Sequence, residues 1–439
     1  MNREAIKDLI KWKNREHRKP LIIHGARQVG KTWLMKEFGK THYEKIAYIN
    51  FENNERMEHL FNGNLDIPRL ITALQIESGV TIDDKNTLII FDEIQEVPKA
   101  LTSLKYFCEN APQYHIVAAG SLLGVALHPG TSFPVGKVDF MDLYPLNFTE
   151  FLNATGNENL VSLLETQDFE LITSFKGRFI DLLKQYYYIG GMPEVVIRFI
   201  ETNDYTIVRE VQNKLLMAYE QDFSKHAPND AVPRIRMLWS SIPAQLAKEN
   251  RKFVYGLIRQ GARAKEFELA IQWLLDCGLI YKVSRIKKPD MPLMAYQDFN
   301  AFKLFILDVG LLSAMSDLDI KSLLEGNSVF EEFKGALTEQ YMLQQLITNK
   351  DIKPFYWSAE RSNGEIDFVF QSGMDIVPLE VKAAENLQAK SLKSYCLRYK
   401  PKYAIRTSLS DYRKEEWLTN LPLYAINEIL NILEDVKHF

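Results

Sequence analysis

Leu21-Ile22-Ile23-His24-Gly25-Ala26-Arg27-Gln28-Val29-Gly30-Lys31-Thr32 decides the fold. It reads as a short apolar strand, a glycine-bounded loop and a helix continuing through Trp33-Leu34-Met35-Lys36-Glu37-Phe38. Gly25 to Thr32 match G-x-x-x-x-G-K-[ST] without a gap. Glycines in such a loop let backbone N–H groups close round an anion, and the helix N-terminus adds partial positive charge. Gly25, Ala26, Arg27, Gln28, Val29, Gly30, Lys31 and Thr32 are therefore the expected nucleotide-binding residues. In such loops the lysine reaches the β- and γ-phosphates and the Ser/Thr hydroxyl ligates Mg²⁺, roles that fall here to Lys31 and Thr32.

Outward from the loop, apolar strands at Ile46–Phe51, Thr87–Phe91 and His115–Ala119 alternate with helical stretches. That alternation predicts a parallel sheet flanked by helices. The run Thr87-Leu88-Ile89-Ile90-Phe91 is apolar throughout and ends in Asp92-Glu93. A strand buried on both faces places carboxylates at its end on the edge that also holds the phosphate loop. Asp92 is then set to hold the Mg²⁺ shell, and Glu93 to polarise a water for attack on the γ-phosphate. Ser121 follows the next strand and either contacts the γ-phosphate or attacking water, or caps a turn. The many Lys and Arg between Arg3 and Lys19 read as a solvated face, with contact to acidic partners as the alternative. Asn147 or Thr149 caps the helix after Tyr144-Pro145.

The 439 residues suggest about three domains. At 46% hydrophobic and 25% charged, the composition is that of an ordinary globular protein. A net charge of −4 argues against wholesale attraction to nucleic acid, although a local basic patch survives that average. Cys108, Cys277 and Cys396 lie far apart in no metal-like spacing and read as free buried thiols of a reducing compartment. No apolar signal core opens the chain and no apolar run approaches ~18 residues. The expectation is a cytoplasmic protein with no membrane partner.

GARQVGKT, IIFDEIQEVP, AAGSLLGV, YPLNFTEFL and Gly190-Gly191-Met192-Pro193-Glu194 together resemble the bacterial AAA-type ATPases of the additional-strand class. In that architecture an ATPase is followed by a domain of unknown function. The resemblance covers essentially the whole chain. It implies ATP as ligand, with Lys31, Thr32, Asp92, Glu93 and Ser121 carrying over. Relatives usually carry Gly-Arg before the Pro-Leu-Phe-Glu stretch, where this chain has Gly136-Lys137. Lysine lacks the planar fork of arginine. If that position acts as a finger or sensor, hydrolysis is slow and ATP marks a state. Tyr186–Glu194 resembles the Gly-Pro segment of ATPase lids, with a plain helix–turn as the alternative.

Beyond it the chain reads helical at Val208–Phe223, Pro233–Glu249 and Ala264–Cys277, then as a strand at Gly278–Val283. Three helices and a strand look like a winged-helix unit. Its third helix opens with Arg263 and Lys265 but continues with Glu266, Glu268 and Asp276. Acids on a reading helix oppose phosphate contact, so a structural or regulatory hinge is preferred to DNA reading. Ile271, Trp273, Leu274 and Leu275 read as core, and Phe302–Leu312 as an apolar element packed against this unit.

In the last segment Glu332–Thr348 is helical, and Glu339 lies inside its apolar arc of Ala336, Leu343, Leu346 and Ile347. A carboxylate there is costly unless paired or bound to a cation. Strands at Lys353–Trp357, Glu365–Gln371 and Asp375–Lys382, a helix at Ala389–Tyr399 and a strand at Lys402–Arg406 complete an αβββαβ order. Alternation puts Asp367 opposite Ile366, Phe368 and Phe370, and projects Glu380 and Lys382 together. Glu339, Asp367 and Glu380 are thus expected to converge on a divalent cation, with Lys382 orienting water or stabilising the transition state. This resembles the PD-(D/E)XK nuclease fold, and relatives carry the same Glu…Asp…Glu-x-Lys order. Two plainer readings stand beside it: a cross-face Glu380–Lys382 ion pair, or a fold that binds without cutting.

The expected fold class is an α/β multidomain protein. Residues 1–150 form a P-loop NTPase core, a parallel sheet with helices on both faces. Residues 151–330 form a helical lid and winged-helix-like middle, and 331–439 an αβββαβ restriction-endonuclease-like domain. The leading functional expectation is an ATP- and Mg²⁺-dependent ATPase controlling a nuclease-like domain that acts on DNA or RNA. A slow ATP-dependent switch that binds a partner or nucleic acid without cleaving it is the second, and a nucleic-acid-dependent motor the third. A homo-oligomer or protein partner stays open.

Overall fold

The computed structural model describes residues 2–120, 134–248, 252–325, 331–359, 364–385 and 389–435. The chain divides into two compact units, residues 2–145 with 276–279, and residues 146–275 with 280–439.

The first unit is built on β1 (Leu21–His24), β2 (Lys45–Asn50), β3 (Thr87–Asp92), β4 (His115–Ala119) and β5 (Asp139–Asp142). They lie in the order β2-β3-β4-β1-β5, every neighbouring pair parallel. Every residue of β3 and β4 is buried, as strands covered on both faces require. The helix Lys31–His42 buries Leu34, Met35 and Phe38, and Pro98–Asn110 buries Leu101, Leu104 and Phe107. Phe91 of β3 anchors one core, its ring 5.3 Å from Phe51 and 6.5 Å from Phe107, edge to face. All five strands run the same way, so the loop after β1 and Asp92 at the end of β3 share one edge.

The second unit holds a mixed sheet of β6 (Ile280–Ile286), β7 (Gln297–Ile306), β8 (Phe355–Ser358), β9 (Glu365–Ser372), β10 (Asp375–Val381), β11 (Ile405–Ser408), β12 (Arg413–Lys414) and β13 (Thr419–Pro422). Their order is β12-β13-β11-β10-β9-β8-β6-β7. The helix Glu331–Ile347, β8, β9, β10, the helix Lys390–Tyr399 and β11 follow one another as αβββαβ. The β6–β7 hairpin, read as part of a middle domain, joins this same sheet by parallel pairing of β6 with β8. Before the hairpin come the helices Tyr205–His226, Val232–Leu246 and Ala264–Asp276. Phe223 binds them together, its ring 5.7 Å from Trp239 and 5.5 Å from Trp273. Ile271, Trp273 and Leu274 are core, and Leu275 is half-buried.

Gly190 and Gly191 owe their identity to close approach. A Cβ on Gly190 would lie 2.1 Å from Asp308 Oδ1, and one on Gly191 2.0 Å from the Leu146 carbonyl oxygen. Asp308 caps the helix Val309–Met315 through the Leu311 N–H at 3.0 Å, and also accepts from the Gly191 N–H at 2.6 Å. Burial holds this carboxyl up at about 6 despite those donors. The glycine pair, read either as a lid segment or as a plain helix–turn, forms a turn packed on a buried carboxylate. Glutamines of the Glu331–Ile347 helix satisfy neighbouring backbone. Gln340 bonds both polar groups of Ile306, Gln344 accepts from the Val309 N–H and Gln345 from the Phe148 N–H. Asn147, not Thr149, caps the helix Phe148–Ala154, in a reciprocal box with Glu150. All three cysteines are free, but only Cys277 is fully buried. Among the described residues no helix is long and apolar enough to cross a membrane.

Candidate functional site

The loop after β1 is shaped by left-handed backbone. Gly25, Gln28 and Gly30 have φ of 147°, 65° and 94°. A Cβ on Gly25 would meet the Leu143 carbonyl oxygen at 2.3 Å, so only glycine fits there. Lys31 opens the helix and folds back, its Nζ donating to the carbonyls of Gly25 at 2.8 Å and Ala26 at 2.7 Å. Burial brings its ammonium down to about 8, against the opposing pull of Glu93 and Asp92. The ammonium is therefore held inside the loop and still charged at neutral pH.

Thr32 Oγ1 donates to Asp92 Oδ2 at 2.8 Å, although sixty positions separate them. The Tyr48 hydroxyl donates to the same oxygen at 2.9 Å. Burial, then the Asp92 charge, push the Tyr48 phenol well above its usual range, which keeps it a donor. Thr32 and Asp92 supply the adjacent hard oxygen ligands that Mg²⁺ takes, beside a cradle that only glycine permits, and these residues fit the ion. Glu93 sits at φ 50°, and its Oε2 accepts from Gln95 Nε2 at 2.6 Å, which fixes the carboxylate. Ser121 lies outside the described residues.

Lys137 does not reach this edge. It precedes β5, whose first residue pairs with Leu21 at the start of β1, and its Nζ binds Glu109 Oε1 at 2.9 Å. Four strand residues at about 3.3 Å each separate that level from the phosphate loop. Lys137 is thus no sensor for the nucleotide of its own loop.

Three residues at the loop escaped the sequence reading. Tyr48 and Gln95 orient the two acids, yet neither belongs to the loop pattern or the Asp-Glu pair. Arg3, read as part of a solvated face, is buried, and its guanidinium bonds the Val29 and Tyr144 carbonyls. No signal marked Arg3 among so many neighbouring basic residues.

In the second unit the expected convergence is incomplete. Asp367 Oδ2 accepts from the Val381 N–H at 2.7 Å. Glu380 Oε1 binds Lys382 Nζ at 2.6 Å, and its Oε2 accepts from the Leu392 N–H at 3.1 Å. Burial raises the Glu380 carboxyl, Lys382 opposes that, and the neighbouring Asp367 charge adds to it. Glu339 is paired with a lysine of β7. Lys303 of β7, fully buried, lies 3.5 Å from Glu339 Oε2 and 2.5 Å from Glu365 Oε1, with its Nζ 5.0 Å from the Tyr356 ring centroid. Among the described residues no group of three or more His, Cys, Asp or Glu is placed to hold a metal ion. Among the described residues Glu339, Asp367 and Glu380 are not gathered into a group that fits the divalent cation the nuclease-like resemblance implied, and Lys303 and Lys382 pair with two of them.

Residues 17–152 match the family model described as an AAA domain. This segment is an AAA-type P-loop ATPase domain. Beyond the ATPase domain, residues 180–322 match a domain of unknown function (DUF8612), and residues 334–426 match another (DUF4143). Comparison with curated proteins found no match. Similar solved structures include the Walker-type ATPase PABY2304 of Pyrococcus abyssi, at 14% identity and TM-score 0.44, covering 72% of this chain and 95% of that one. Others are the Aeropyrum pernix ORC1 protein in complex with DNA (13% identity, TM-score 0.26, 72% and 90% covered) and Cdc6p from Pyrobaculum aerophilum (12%, 0.26, 73% and 93%).

Proposed function

We propose that the protein is an ATP-hydrolysing switch whose second unit, PD-(D/E)XK-like in its αβββαβ order, engages a partner, with DNA or RNA as the class that order implies, without cutting it. The nucleotide half rests on the Thr32–Asp92 bond beside a lysine held inside the loop. Backbone N–H groups of Gly25 to Thr32 cradle the phosphates, and Lys31 exchanges its carbonyl partners for phosphate oxygens. Thr32 and Asp92 would hold Mg²⁺, which when bound neutralises charge on the phosphates. Tyr48 keeps the Asp92 carboxylate aimed at Thr32. Glu93, fixed by Gln95, takes the proton of the attacking water.

The non-cutting half rests on the Lys303–Glu339 pair, which supports the switch over the metal-dependent nuclease. Incubation of wild type and Lys382→Ala with ATP, Mg²⁺ and plasmid tests it, with ATP turnover followed in parallel. The switch predicts turnover that Lys31→Ala abolishes and intact plasmid throughout. Nicking by wild type that Lys382→Ala removes would restore the nuclease reading.

A further inference from the structure

We infer that Arg3 is a positioning residue of the ATP site, fixing the phosphate loop from outside. Its side chain is almost wholly buried, unlike the other basic residues between Arg3 and Lys19. Nη1 donates to the Val29 carbonyl at 3.1 Å, and Nη2 to the Tyr144 carbonyl at 2.6 Å. Val29 precedes Gly30, the left-handed residue that opens the loop helix. The Val29 carbonyl and the Gly30 N–H belong to one trans peptide and point in opposite directions. A carbonyl drawn outward to Arg3 therefore turns the Gly30 N–H inward, as a phosphate-cradling donor.

The second bond anchors this arrangement. Tyr144 adjoins Leu143, whose carbonyl crowds Gly25 at the other end of the loop. Arg3 thus spans the loop's last turn and the segment that abuts its first residue. A rigid guanidinium fork holds two carbonyls at a fixed angle, where an ammonium acts as a point donor. The role is in binding: an oriented donor holds the phosphates alike in ground and transition states, so its loss raises Kd and KM and leaves kcat.

This inference rests on the reading of the loop as an ATP site, and one experiment separates the two. A fluorescent ATP analogue is titrated into full-length wild type, Arg3→Lys and Arg3→Ala with Mg²⁺ present, and steady-state ATP turnover and melting temperature are recorded for each. Arg3→Ala is expected to weaken binding by about tenfold or more, as loss of a charge-assisted bond does, with kcat at saturating ATP retained. Arg3→Lys falls between. A purely structural role would lower the melting temperature and leave Kd and KM at wild-type values, and that result overturns the inference. Should Arg3→Ala fail to fold, Arg3→Lys decides: a wild-type Kd in that variant overturns it equally. A wild type that ignores the nucleotide removes the ATP reading itself, and this inference with it.

Discussion

Replacing Lys303 by Met exposes what holds the acidic face of the second sheet together. The ammonium is fully buried between Glu339, itself buried, and Glu365, and it faces the Tyr356 ring. Removing it takes the Lys303 charge away from the Glu339 carboxylate, which stays buried in the core. Breaking a buried pair from one side costs about 3–5 kcal/mol, far more than the pair's net contribution. At roughly 2–4 °C per kcal/mol in units of this size, the melting temperature should fall by about 10 °C. The cost should shrink on acidification, because protonating the Glu339 carboxyl removes the buried charge. Adding Glu339→Leu should recover most of the loss, since replacing both partners by apolar side chains is often close to neutral. Urea unfolding by tryptophan fluorescence at neutral and mildly acidic pH, on both single variants and the double, measures each term. A Lys303→Met protein within about 0.5 kcal/mol of wild type, with no pH dependence of the difference, would refute the internal counter-ion.

Three further outcomes follow from groups with displaced titration or crowded backbone. Lys31 is held down to about 8 by burial, so between about 8 and 10.5 the unfolded chain binds a proton that the nucleotide-free native state does not. Stability should therefore rise with pH across that window, by on the order of 3 kcal/mol, and Lys31→Met should lack the rise in urea midpoints measured without nucleotide. Asp308 is held up at about 6 by burial, so the native state binds the extra proton. Its contribution is complete below about 4 and lost as pH climbs through about 6, and Asp308→Asn should flatten that part of the stability profile. Gly191→Ala would set a Cβ 2.0 Å from a backbone oxygen that cannot step aside, and should cost about 3 kcal/mol or more in a denaturant titration.

Much of the nucleotide site was legible because its chemistry is local. Gly25, Gly30, Lys31 and Thr32 stand within eight positions, and Thr87–Phe91 carried its own evidence of burial on both faces. The strand alternation that put Asp367 opposite Ile366 and Phe368, and Glu380 beside Lys382, was equally local, as was the αβββαβ order. What stayed hidden came from long-range pairing. Lys303 lies on a strand assigned to another domain, and only the pairing of β6 with β8 brings that hairpin into the sheet carrying Glu365. A buried acid on an apolar arc announced that it needed a cation, but not that a lysine 36 positions upstream would be the cation. Arg3 was hidden for the opposite reason: many basic residues surround it, and only burial sets it apart. The place of Lys137 stayed open because position along the chain does not tell which edge of a parallel sheet a residue occupies.

Isothermal titration of ATP with Mg²⁺ into wild type and Lys31→Ala tests the central claim most directly. The account predicts saturable one-to-one binding to wild type and none to the variant, with circular dichroism showing both folded. Heat of binding that is absent from folded wild type, or undiminished in Lys31→Ala, would contradict it.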